Sequence, residues 1–266
     1  MLIVGERINT SRKQMAPAVA NLDAAAVREE AKKQVEAGAH VIDVNCGTLV
    51  EREVEVMEWL VRTVQEAVEV PLCIDTPNPK ALEAGLRVHR GKALVNSITA
   101  EAGRYEAMVP LVKEYGAGVV ALCISDRGMP RTVDDRLQVV DRLVERLSRD
   151  GVPLEDIYVD PLIQPLATEP DNGRIALETV ARVMEGYPGI HTICGLSNIS
   201  FGLPCRRLLN QSFLCMLLAA GLDGAILDPL DQALMSFLRA SLVITGADPY
   251  SMEYIKAYRE GKLVKT

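Results

Sequence analysis

The sequence predicts a single-domain (β/α)₈ barrel with polar side chains gathered at one mouth. Three observations carry that expectation. Short apolar runs alternate eight times with longer amphipathic segments along the 266 residues. Nearly every run closes on Asp, Asn or another polar residue. No linker, low-complexity stretch or charge block divides the chain. One domain is therefore expected over 1–266, with a helical extension over 248–266 that holds a short helix near Ser251–Glu260.

In chain order the predicted strands are Leu2–Ile8, Val41–Cys46, Pro71–Asp75, Ala93–Ile98, Gly118–Ile124, Ile157–Asp160, Thr192–Leu196 and Gly224–Asp228. Their Val, Ile and Leu content suits strands buried on both faces. The segments between them carry helix punctuation. Gly38 marks the first helix end, as Gly116, Gly151, Gly186 and Gly221 do for later ones. Asn78-Pro79 offers a cap followed by a first-turn proline, and Thr132 with Asp135 forms a capping box. Pro204 and Pro229 also suit first-turn positions. Strands alternating with helices imply parallel βαβ units. No G-x-G-x-x-G follows the first strand and no Walker loop occurs, which favours a closed barrel over an open nucleotide-binding sheet.

Composition narrows the function classes. Hydrophobic residues make up 48% and aromatics only 4%, so the core must be aliphatic. A net charge of −7, with no basic tract, argues against a nucleic-acid surface. No apolar run is long enough to span a bilayer, and residues 1–9 lack the features of a signal peptide, so a cytoplasmic protein is expected. The six cysteines form no C-x-x-C pair and read as small core residues in a reducing compartment. Three scattered histidines give no zinc spacing.

Active sites of such barrels lie at the C-terminal strand ends. Those ends carry Glu6, Asn9, Asp43, Asn45, Asp75, Asn96, Ser125, Asp126, Asp160, Asn198 and Asp228. One such residue marks only where a strand leaves the core, but so many at once point to a pocket. Lys for a Schiff base and His for a metal are missing from the ring. Acceptors and amides remain, suited to a ligand with several N–H groups and ring nitrogens. Other readings stay open at this point. Asp43, Asp75 and Asp160 can hold magnesium, Gly195-Leu196-Ser197-Asn198 can cradle an anion, and two carboxylates can serve glycoside hydrolysis. One Trp and three Phe leave little to stack on sugars.

The segments GERIN (5–9), DVNCG (43–47), CIDT (73–76), VNSIT (95–99), YVDPL (158–162) and GLSNIS (195–200), in this order over essentially the whole chain, resemble the pterin-binding methyltransferase family. The likeness is greatest to methyltetrahydrofolate:corrinoid iron–sulfur protein methyltransferases, and more distant to the folate domain of cobalamin-dependent methionine synthase. What the resemblance implies is a barrel that binds tetrahydrofolate or methyltetrahydrofolate at its mouth. It moves a methyl group between the folate N5 and a corrinoid cobalt. Asp75, Asn96 and Asp160 would hold the pterin, with Glu6 nearby. Asn198 would contact the methyl-bearing nitrogen, Gly195 and Ser197 would line the pocket, and Arg206 would contact the pterin or its tail. Asp43, Asn45 and Asp228 are left without a role.

A carboxylate can accept both the amine and the ring N–H of a pterin edge, and an Asn198 hydrogen bond can strengthen as charge develops on the reacting nitrogen. The chain has no D-x-H-x-x-G stretch to ligate a corrinoid, so the cobalt would come from a separate corrinoid protein docked over the mouth. The resemblance also implies a homodimer. The 201–207 loop, Phe201-Gly202-Leu203-Pro204 followed by Arg206-Arg207, departs from the family pattern and favours methylation of tetrahydrofolate over its demethylation. Two alternatives remain: a dihydropteroate synthase-like condensation, against which Asp160-Pro161 is followed by Leu162 rather than Gly, and a non-catalytic folate-binding barrel.

Overall fold

The computed structural model describes residues 1–264. Within them eight parallel strands close in sequence order: β1 (Leu2–Asn9), β2 (Val41–Asn45), β3 (Leu72–Asp75), β4 (Leu94–Thr99), β5 (Gly118–Leu122), β6 (Ile157–Asp160), β7 (His191–Gly195) and β8 (Gly224–Leu227). β8 pairs with β1, so the sheet has no exposed edge. The helices α1 (Ala16–Ala20) and α2 (Ala24–Glu36) follow β1. One helix then follows each remaining strand: α3 (Glu53–Gln65), α4 (Pro79–Val88), α5 (Ala102–Glu114), α6 (Val133–Arg149), α7 (Asn172–Gly186), α8 (Arg206–Ala219) and α9 (Gln232–Ile244). The expected extension contains α10 (Met252–Arg259); its positions 265 and 266 lie outside the described residues. Among the described residues no helix is long and apolar enough to cross a membrane.

The barrel interior explains where the polar ring comes from. Val4, Val41, Cys73, Leu94, Val120, Ile193 and Ile226 form one buried cluster, with Tyr158 packed against it. Every strand thus contributes one side chain, as the plug of a closed barrel requires. Side chains alternate along a strand, so the residue two positions further on points inward again, one layer nearer the C-terminal mouth. Those residues are Glu6, Asp43, Asp75, Asn96, Leu122, Asp160, Gly195 and Asp228. Register irregularities fall between Gly5 and Ile8 of β1 and between Val95 and Ile98 of β4. Both bend a strand where a polar residue enters the ring. The outward faces bury Val44, Ile74, Val95, Val119 and Val159 against the helices.

Most punctuation lies where the sequence places it. Asn78 caps α4 through Lys80 N, and Thr132 and Asp135 bond reciprocally at the start of α6. Three positions differ. Gly186 is the last residue of α7, and Gly189 instead takes the left-handed turn at φ +96°. Pro204 and Pro229 lie upstream of their helices, because Cys205 and Asp231 occupy the cap positions. Asp231 accepts from Leu234 N, so helix α9 starts only after that side chain.

At Gly5 the barrel has no room for a side chain. A Cβ there would stand 2.5 Å from Gln34 Oε1, which accepts from Arg7 N at 3.1 Å. Gly5→Ala is expected to lower the unfolding free energy by about 1–3 kcal/mol, as overpacking does. Urea denaturation measures it, and an unchanged midpoint would mean that Gln34 yields at no cost.

Candidate functional site

Asp75 ends β3 and faces Asn96 in the β3–β4 register. Asn45 donates Nδ2 to Asp75 Oδ2 at 2.8 Å, while its own Oδ1 accepts from Gly47 N at 3.0 Å. The amide orientation of Asn45 is therefore set, and one Asp75 oxygen is already used. Burial raises the Asp75 pKa, against the lowering effects of Asn45 and the Arg104 guanidinium. Asp43 is only 2% exposed, and its Oδ1 has no hydrogen-bond partner among the described residues. Burial foremost, then the charges of Asp75 and Glu6, push its pKa well above the carboxylate range. The Cys73 thiol and the Asn96 amide face it and oppose that shift. The layer beneath the mouth thus already contains a buried polar atom without a hydrogen-bond partner among the described residues.

Asp160 closes β6. Its Oδ1 accepts from Leu162 N at 2.8 Å, and burial pushes its pKa up to about 7. Arg136, 1% exposed, stands behind it and lowers that value only in part. The Arg136 guanidinium donates to Pro161 O at 2.8 Å and Thr132 O at 3.1 Å, tying the loop after β6 to the start of α6. Leu162 in that loop has φ +60°.

The other side of the mouth is built from β7, β8 and β1. A 3₁₀ turn, Leu196–Ser200, follows β7 and carries Ser197 and Asn198. The Asn198 side chain is exposed, and its Nδ2 lies 3.2 Å from where a Cβ on Gly195 would be. A side chain at 195 would press the Asn198 amide aside by a few tenths of an ångström. Arg206, the first residue of α8, donates to Ser200 Oγ at 3.0 Å and Ser197 O at 2.8 Å, bracing the turn. Glu6 accepts from Arg12 at 2.6 Å, and its pKa is nonetheless raised, chiefly by burial. Asp228 accepts from Arg7 at 2.8 Å and Arg12 at 3.2 Å.

The expected site residues thus form two groups around one mouth. Glu6, Ser197 and Arg206 line a cleft of about 480 Å³. Asp75 and Asn96 on β3 and β4, Asp160 on β6, and Gly195 and Asn198 at and just after the end of β7 stand outside that cleft's lining. Sequence reasoning left Asp43 unassigned, although counting in twos from Val41 places it in the same layer as Asp75. It also missed Arg7, Arg12, Arg104 and Arg136, whose partners lie up to 221 residues away in the chain.

Asp160 keeps its proton in the fold up to about pH 7, whereas an unfolded chain loses it near the ordinary value of 3.8. Its contribution to stability is complete below pH 3.8 and is lost as pH rises through 7. Thermal unfolding should therefore show wild type losing stability relative to Asp160→Asn between pH 4 and 7. Parallel curves would place the Asp160 proton elsewhere.

Residues 5–228 match the pterin binding enzyme family. The chain is 36% identical over 265 residues to a methylcorrinoid:tetrahydrofolate methyltransferase of Eubacterium limosum, covering 99% of this chain and 98% of that protein. It is 34% identical over 240 residues to methionine synthase of Mycobacterium tuberculosis, covering 85% of this chain but 20% of that longer protein. Among solved structures, a dihydropteroate synthase of Xanthomonas albilineans in complex with 7,8-dihydropteroate superposes with a TM-score of 0.66. The identity is 18% and 92% of each chain is covered, a likeness of fold alone. With the family matched over most of its length and a relative aligned end to end, the chain belongs to the pterin-binding enzymes.

Proposed function

We propose that this protein is a methyltransferase that moves a methyl group between the cobalt of a separate corrinoid protein and N5 of tetrahydrofolate, in the direction of tetrahydrofolate. The observation that carries the reading is the end-to-end match with the Eubacterium limosum protein, whose name states that reaction. The site chemistry supports it. A pterin's amino-pyrimidinone edge is rich in donors, and the mouth holds the free acceptor capacity of Asp75 and Asp160 together with the unpartnered Asp43 Oδ1. Asn96 both donates and accepts beside them. The proposal includes a homodimer, supported by the exposed Leu208, Met216, Phe237 and Ile244 on neighbouring α8 and α9. It also places the protein in the cytoplasm, in one-carbon metabolism, which its unpaired cysteines suit.

The corrinoid partner supplies an electrophilic methyl group and retains the electron pair when the cobalt–carbon bond breaks. This chain's task is to present N5 to that carbon and to manage the N5 proton. Asp75, Asn96 and Asp160 fix the ring from β3, β4 and β6. Asn198, exposed on its turn, reaches the nitrogen from the β7 side. As N5 bonds to the methyl carbon, positive charge builds on its N–H, and Asn198 Oδ1 accepts that hydrogen bond more strongly than in the ground state. The proton then leaves to solvent through the open mouth. In reverse the same bond holds the proton on the departing nitrogen.

Asn198→Ala should lower the transfer rate roughly 100- to 1000-fold, the cost of losing one such hydrogen bond, while folate affinity changes far less. Single-turnover kinetics with a purified methylated corrinoid protein reads this, and equal losses in rate and affinity would reduce Asn198 to a binding residue. Asp160→Asn should weaken folate affinity in calorimetry. In wild type that affinity should rise with pH through about 7, as Asp160 ionises and becomes a better acceptor. A pH-independent affinity would remove Asp160 from ring recognition.

A further inference from the structure

Glu53 is the first residue of α3, and it is buried, only 5% exposed. Both of its carboxyl oxygens are engaged: Oε1 accepts from Thr76 Oγ1 at 2.5 Å and Oε2 from Asn78 Nδ2 at 3.0 Å. Neither donor is free to turn round. Asn78 Oδ1 caps α4 by accepting from Lys80 N at 3.1 Å, which leaves its NH₂ group facing Glu53. Thr76 Oγ1 accepts from Asn78 N at 3.0 Å, which leaves its O–H proton for Glu53. The position therefore requires two acceptors at once, which a carboxylate supplies and an amide does not. Among the described residues both side-chain partners of Glu53 are neutral. The first turn of α3 favours an anion, yet a buried charge without a counter-ion remains unfavourable.

Its partners frame the end of the barrel that carries Asp75. Thr76 directly follows Asp75, and its N–H donates to Asn96 O at 3.0 Å. The Cys46 thiol, next to Asn45, donates to Glu53 O at 3.6 Å. One side chain thus joins the loops after β2 and β3 and, through Thr76, the end of β4. Asn45, Asp75 and Asn96 stand on those three strands. The charged and titratable groups around Asp75 are Asp43 on β2, Cys46 just after it, Glu53 on α3, Cys73 on β3 and Arg104 on α5. Glu53 pushes the Asp75 carboxyl towards its protonated form, and Arg104 pulls the other way. We propose that Glu53 is a positioning residue for pterin recognition, which fixes the Asp75–Thr76 corner against Asn45 and Asn96 through its bonds to Thr76 and Asn78. The same charge acts across that corner, so Glu53 also bears on when Asp75 ionises. The proposal rests on the folate reading above for its ligand, whereas the action on Asp75 does not.

Two variants separate the bonds from the charge. Glu53→Gln removes the charge and sets an NH₂ group against a fixed donor. Thr76→Val removes one donor, keeps the shape of a buried side chain and leaves the Glu53 charge in place. In calorimetry with methyltetrahydrofolate each should lose affinity roughly tenfold, the cost of about one hydrogen bond. Carbon NMR of the side-chain carboxyls, with Asp75 assigned by its loss in Asp75→Asn, reads the charge in the ligand-free protein. The Asp75 titration midpoint should fall in Glu53→Gln and should not fall in Thr76→Val. Wild-type affinity in either folded variant would overturn the positioning role, and Thr76→Val settles this alone if Glu53→Gln does not fold. An affinity loss in Glu53→Gln with an unmoved Asp75 midpoint would also overturn it, since a merely structural residue gives that result. Wild type that binds no methyltetrahydrofolate would overturn the folate reading, and the Asp75 midpoint then decides on Glu53 by itself.

Discussion

Everything at this mouth depends on placing acceptor groups at the end of a barrel interior whose walls are closed to water and which opens only at the mouth. A mainly aliphatic layer, with Cys73 and Tyr158 among its members, draws on every strand to fill the barrel, and the next inward layer is rich in carboxylates and amides. Desolvation is the largest influence on Asp43, Asp75, Asp160 and Glu6 alike, and in each it outweighs the neighbouring donors and cations. Such a layer is costly without a ligand and becomes satisfied when N–H groups arrive. Selectivity follows from the same cost, since a ligand lacking those donors leaves the acceptors unpaired.

Positive charge is kept to the periphery of that layer. Arg136 lies behind Asp160 and spends its hydrogen bonds on backbone carbonyls, so it steadies the loop and neutralises the acid only in part. Arg7 and Arg12 reach in from the β1 side to hold Asp228 and Glu6, which fixes one wall of the cleft. The result is a mouth with two characters. One side carries acids that form no ion pair among the described residues, and the other is a lattice of ion pairs beside Arg206, whose acceptors there are neutral.

Much of the fold was legible because it rests on local and periodic signals. The runs of Val, Ile and Leu, the Asn78-Pro79 and Thr132–Asp135 caps, and the glycines at 38, 116, 151 and 221 each act within a few residues of themselves. Pro204 and Pro229 misled because a proline before a cap and a proline after one look alike in sequence. Gly186 misled because α7 runs one residue past it in capping and turns at Gly189 instead. Within the site, Asp75, Asn96 and Asp160 were visible as strand-end residues. Asp43 was visible in the same ring, but its deep burial with an unpaired Oδ1 among the described residues depends on packing across the barrel.

The sequence by itself determined the barrel, the family and the polar character of one mouth, because alternation in twos and in helical turns is written along the chain. Only the tertiary structure decided how those polar groups are shared out. Asn45 is committed to Asp75, Asp228 to Arg7 and Arg12, and Asp231 to Arg207, whereas among the described residues Asp43 and Arg206 have no opposite charge bonded to them. The reason is physical: charge pairing and burial depend on distances across the barrel between residues far apart in the chain, and no local pattern encodes those distances.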